Sequence, residues 1–112
     1  MSNFDVTIAE QGGTVHVALA GELDISTGPR LDDDLRRIET DQPQTIVVDL
    51  QELQFMDSTG LRILITADMR ARAAGRRLAI VQGNESVRRV LRVTRLDERL
   101  EVIESADLSS AG

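Results

Sequence analysis

The chain has 112 residues, 41% hydrophobic and 29% charged, the composition of one folded domain rather than of a disordered segment. It contains no Cys, Trp or Tyr, and all 13 basic residues are Arg, which excludes a disulfide framework, a thiolate zinc site, a cysteine nucleophile, a Schiff-base lysine and a P-loop lysine. The net charge of −6 and the presence of only two aromatic residues, Phe4 and Phe55, argue against nucleic acid as a partner.

His16 is the one histidine. It alternates with Val15 and Val17, which marks it as an outward strand residue rather than a catalyst. No apolar run approaches the roughly 20 residues of a membrane span. The opening Met-Ser-Asn-Phe-Asp lacks the basic and apolar regions of a secretory signal, so a cytoplasmic protein without a membrane partner is expected. Charge is unevenly spread. Residues 1–57 carry 3 Arg and 12 acids, or −9, while residues 58–112 carry 10 Arg and 7 acids, or +3. Solvated helix faces account for this asymmetry. An acidic edge meeting a basic partner is the alternative.

Val6 and Ile8, then Val15, Val17 and Leu19, alternate on either side of Gly12-Gly13, which predicts a β-hairpin over about 4–10 and 14–20. Gly21-Glu22-Leu23-Asp24 reads as a loop. Ser26 or Thr27 then caps a helix with Pro29 in its first turn and Leu31, Leu35 and Ile38 on its buried stripe. Asp32-Asp33-Asp34 falls in the N-terminal half of that helix, where the dipole favours anions. This is a helix feature rather than a metal site. Pro43 ends the helix region, and Thr45–Leu50 is a β-branched strand of buried, parallel type. A loop over Gln51–Asp57 leads to a second helix over about 58–74, stopped near Gly75.

Arg76–Val81 forms the next strand. Gly83-Asn84-Glu85-Ser86 opens a third helix whose Val87, Val90 and Leu91 face inward, with Val93 a further candidate. Leu100–Ile103 is a short edge strand. The tail from Ser105 begins as a helical turn and then frays. The predicted order is β-β-α-β-α-β-α-β. It implies one α/β domain spanning 1–112, with an ordered core over about 4–104. The sheet is mixed and mostly parallel, with four to five strands opened by the hairpin and three to four helices.

The segment from Leu53 to Leu61 lies where a strand-to-helix loop enters the second helix, the place where open α/β sheets gather functional groups. Ser58 falls at the N-cap, between Asp57 and the Thr59-Gly60 first turn. A cap serine serves the backbone, but the same free N–H groups also favour a phosphate. On the second helix Leu61, Leu64, Ala67, Ala71 and Ala74 share one apolar arc. Asp68 and Arg72, spaced for an i,i+4 ion pair, separate that arc from Ile65 and Met69. An ion pair does not belong inside a buried face, so Ile65 and Met69 form a second strip in line with Ser58 and Arg62. That strip is either a binding surface, which methionine suits, or covered by the third helix.

Gly21-Glu22-Leu23-Asp24 after a hairpin, followed by Phe55-Met56-Asp57-Ser58-Thr59-Gly60-Leu61 after a buried strand, resembles the bacterial anti-sigma factor antagonists of the STAS domain family. The resemblance covers residues 4–104 and implies a STAS fold and a partner switch. In such a switch the unphosphorylated antagonist sequesters an anti-sigma factor that is also a serine kinase, and a sigma factor is released. Phosphorylation frees the antagonist, and a phosphoserine phosphatase resets it.

The family's acceptor falls on Ser58, with Thr59 the lesser alternative, and Asp24, Asp57, Thr59 and Gly60 flank it. Glu22, Asp24, Arg62, Ile65 and Met69 are the expected partner contacts. Some relatives instead serve as non-switching scaffold subunits in larger or transporter-associated assemblies. No catalytic residue, metal or cofactor is expected. Asp24 and Asp57 as paired carboxylates lack a nucleophile-activating base beside them.

Overall fold

The computed structural model describes residues 3–105. Its elements are β1 (Phe4–Gln11), β2 (Thr14–Leu23), α1 (Gly28–Glu39), β3 (Thr45–Met56), α2 (Ser58–Ala73), β4 (Arg77–Val81), α3 (Glu85–Val93), α4 (Leu96–Arg99) and β5 (Glu101–Ile103). The strands form one five-stranded sheet in the order β1-β2-β3-β4-β5. The β1–β2 hairpin is antiparallel and every later pair is parallel, which is the expected mixed sheet.

Period-2 alternation builds the core. Val15, Ile46 and Leu78 line up across β2, β3 and β4, as do Val17, Val48 and Ile80 one layer on. All six are buried in the core they form with Leu31, Leu35 and Ile38 of α1, Leu61 and Leu64 of α2, and Val87 and Leu91 of α3. Each such side chain contributes about 1.5–3 kcal/mol on leaving water. His16 lies on the opposite sheet face, half-buried, with Nε2 3.1 Å from Asp49 Oδ2.

The structure departs from the sequence expectations in several places, each with a physical cause. The predicted loops at Gly21–Asp24 and Gln51–Asp57 are mostly strand, because β2 runs on to Leu23 and β3 to Met56. Register shifts between Ala18 and Ala20 and between Gly21 and Glu22 interrupt the alternation there, so the period-2 signal fades while pairing continues. Gly21 takes φ +95°, and a Cβ on it would stand 2.0 Å from the Asn3 carbonyl oxygen, so only glycine fits where Glu22 N–H donates to that oxygen at 2.7 Å.

Ala74 is the exposed C-cap of α2 rather than part of its core arc. Val93 is 71% exposed at the end of α3. The short helix α4 follows Arg95, whose left-handed φ of 61° turns the chain out of α3. Asp32 and Asp34 lie beyond the first turn of α1, where the dipole has faded, and pair with Arg36 and Arg37 at 3.1 Å each. The expected helical turn and fraying of the tail after Ser105 lie outside the described residues. No helix among the described residues is long and apolar enough to cross a membrane.

Candidate functional site

The C-terminal ends of β2 and β3 are adjacent in the sheet, with Leu23 opposite Met56. The two following helices therefore start side by side. Asp57 N–H donates to the Leu23 carbonyl at 3.2 Å, locking the two strand ends together. A Cβ on Gly28 would meet Thr59 Cγ2 and Ile63 Cδ1 at 2.9 Å. A Cβ on Gly60 would meet Leu23 Cδ2 and Met56 Cγ at 2.7 Å. These two glycines let the first turns of α1 and α2 seat closely against each other and on the sheet.

The cap of α2 differs from the sequence expectation. Asp57, with extended backbone, is the N-cap; its Oδ1 accepts from Thr59 N–H at 2.9 Å and from Gly60 N–H at 3.4 Å. Ser58 is the first helical residue. Asp and Ser are equally good caps, and here the carboxylate of the preceding residue takes the free donors. The Ser58 side chain is exposed and, among the described residues, makes no hydrogen bond, so its hydroxyl has no structural duty. Thr59 is half-buried against Gly28 and is less open to a modifying enzyme.

Asp24 organises the other loop. Its Oδ1 accepts from Ser26 N–H at 2.9 Å, Ser26 Oγ–H at 2.8 Å and Thr27 N–H at 3.1 Å. These bonds, the Ser26 hydroxyl's above all, hold its carboxyl below the usual carboxylate range. Thr27 occupies the N-cap position of α1 without a cap bond; its hydroxyl oxygen instead accepts from Asp24 N–H at 2.9 Å while its proton goes to the Glu22 carbonyl at 2.9 Å. The loop thus presents Ile25 outward, 78% exposed. Sequence reading passed over Ile25; an isolated apolar residue in a polar turn is the signal that marks it.

Glu22 is exposed at the end of β2, opposite the exposed Phe55, and its Oε2 accepts from Asn3 Nδ2 at 3.2 Å. Arg62 is exposed one turn after Ser58 and borders two surface grooves, one toward α1 and one toward α4. Ile65 and Met69 part company. Met69 is 55% exposed, whereas Ile65 is partly buried against the core. The Asp68–Arg72 pair forms at 2.8 Å, but Asp68 is buried, so an ion pair does sit inside the packed face; Arg72 reaches it from solvent and also donates to the Arg99 carbonyl. No cluster of metal-ligating residues occurs among the described residues.

The arrangement is a surface: an exposed hydroxyl, two ordered carboxylates and neighbouring apolar side chains at the sheet's C-terminal edge. The same fold occurs in the crystal structure of an anti-sigma factor antagonist from Mycobacterium paratuberculosis. That structure has a TM-score of 0.86 and 24% identity, covering 96% of this chain and 92% of that one. Residues 6–104 match the family model described as the Mlab, STAS domain, and the chain belongs to the STAS domain family. Among curated relatives, the anti-sigma-B factor antagonist of Staphylococcus aureus is 26% identical over 106 residues, 95% of this chain and 98% of the relative. The anti-sigma-F factor antagonist RsfB of Mycobacterium tuberculosis is 34% identical over 59 residues, 53% of this chain and 48% of the relative. The chain therefore spans about half the length of that mycobacterial relative.

Proposed function

We propose that this chain is an anti-sigma factor antagonist, a binding module without enzymatic activity that is switched by phosphorylation of Ser58. Unphosphorylated, it sequesters an anti-sigma factor with serine kinase activity and so releases a sigma factor. The kinase ends the complex by modifying Ser58, and a phosphoserine phosphatase restores it. The protein acts in the cytoplasm. The observation that carries this reading is the Ser58 hydroxyl, exposed at the start of α2 and relieved of capping by Asp57. The names of the staphylococcal and mycobacterial relatives support the antagonist role.

Ser58 tolerates either a hydroxyl or a phosphate in the free domain. In a complex shaped for the hydroxyl, a desolvated phosphate costs several kcal/mol, and each 1.4 kcal/mol is about tenfold in affinity. Incubation of the protein with ATP and a lysate of its source cell, followed by mass spectrometry, tests this. A single phosphate on Ser58, absent from Ser58→Ala, is the expected result. Full phosphorylation of Ser58→Ala would move the acceptor to Thr59. The second reading is a non-switching STAS scaffold in a larger regulatory or transporter-associated assembly. It is favoured by the matching family model, whose description names the Mlab domain rather than an antagonist. An unmodified protein recovered in a stable large complex would support it.

A further inference from the structure

A groove of about 330 Å³ runs between α2 and the α3–α4 corner, lined by Ser58, Leu61, Arg62, Ile65, Thr94 and Leu96. A second hollow of about 290 Å³, lined by Arg89, Val90, Val93 and Thr94, adjoins it through Thr94. The floor is apolar, and each hollow has one arginine in its lining. Arg62 and Arg89 are exposed, and among the described residues their guanidinium groups have no hydrogen-bond or ion-pair partner. Arg36, Arg37, Arg70, Arg72 and Arg92, by contrast, each hold a carboxylate. From Glu85 to Arg99 the chain has five Arg against Glu85, Asp97 and Glu98, and Glu85 is already paired with Arg92.

We propose that this groove docks an acidic, amphipathic segment of a partner protein, with its apolar side chains in the two hollows and its carboxylates on Arg62 and Arg89. Two hollows sharing one wall suit apolar anchors spaced a turn or two apart on a helix. Cations without carboxylates of their own are free to pair with acids of the partner. A second copy of this chain is a poorer occupant, because the acidic run of α1 spends Asp32 and Asp34 on its own arginines.

Ser58 lines the same groove, so docking and modification meet there, a coupling that rests on the switch proposed above. A phosphate on Ser58 adds about −1.5 to −2 charge one helical turn from Arg62. It would draw that guanidinium to itself and repel the incoming acids.

The probe is a fluorescein-labelled helical peptide of alternating Leu and Glu faces, with a control in which every Glu is Lys. Fluorescence anisotropy and ¹⁵N amide shifts are recorded on the unphosphorylated full chain. The Glu peptide is expected to bind, to weaken with added salt, and to shift amides at Leu61, Ile65, Thr94 and Leu96. Arg62→Glu with Arg89→Glu should weaken it at least about tenfold at unchanged melting temperature. Equal binding of the Lys peptide, shifts centred on Ile25 and Ile63, or self-association of the chain in place of peptide binding would each overturn the proposal. Because the assay needs no phosphate, its failure leaves the Ser58 assignment standing. Mass spectrometry alone decides that assignment.

Discussion

Among the described residues the Ser58 hydroxyl makes no hydrogen bond and the Asp57 carboxylate makes two, so the cost of losing either side chain is the reverse of what a capping serine would give. Ser58→Ala is expected to stay within about 0.5 kcal/mol of the parent, while Asp57→Ala loses about 0.5–2 kcal/mol. Thermal melts of the two variants check this. Asp24 gives a pH prediction. Its carboxyl is held below its ordinary value of 3.8 by the Ser26 and Thr27 bonds. Its contribution is therefore complete above the unfolded value and lost as pH falls through the lower folded one. Urea midpoints measured from pH 5 to pH 2 should fall less steeply for Asp24→Asn than for the parent. That Asp57 and Ser58 stand at the entry to a helix was legible in the sequence, because the strand run, the turn residues and the helical period follow one another directly there. The cap was not, because Asp57 and Ser58 are equally competent caps and only the backbone angles decide between them.

Between elements, α1 and α2 are tied by Glu39 and Arg70, whose guanidinium donates to both carboxylate oxygens at 2.7 and 2.8 Å. Both side chains are mostly buried, so Glu39→Ala leaves the guanidinium only the more distant Asp32, 3.9 Å away. It should cost about 1–3 kcal/mol, below the 3–5 of a fully buried pair, and Glu39→Gln should recover part of the lost melting temperature. On α2, Met69→Asp should leave the melting temperature near that of the parent, whereas Ile65→Asp should lower it by several degrees, because Ile65 packs against the core. Helix and strand types were readable from periodicity. Strand lengths were not, since the extensions of β2 and β3 pass through register shifts and carry exposed polar residues such as Gln51, Glu52 and Gln54. The Asp68 position also misled. A wheel assigns a residue to a face but does not show that Arg72 can reach into that face from solvent.

For the molecule as a whole, phosphorylation of Ser58 should change the surface and leave the fold. Asp57 already takes the Thr59 and Gly60 donors, so the phosphate gains little from the helix end. Repulsion from Asp57 and attraction to Arg62 are each near 1 kcal/mol between exposed groups. Amide shifts confined to 22–27, 56–65 and the facing 94–96 are expected on modification; shifts spread through β4 and α3 would mean a rearranged domain. The sheet carries a consequence for how the protein is made. Its strands lie in space in the order in which they leave the ribosome. The β1–β2 hairpin can form first, and each later strand then arrives at an edge whose partner is already in place. No strand pairs with one more than a single crossover away, so each stage closes only one strand–helix unit. The growing edge is covered each time by the next strand synthesised, which limits the time it stays open to pairing with another chain, while β1 remains the outer edge.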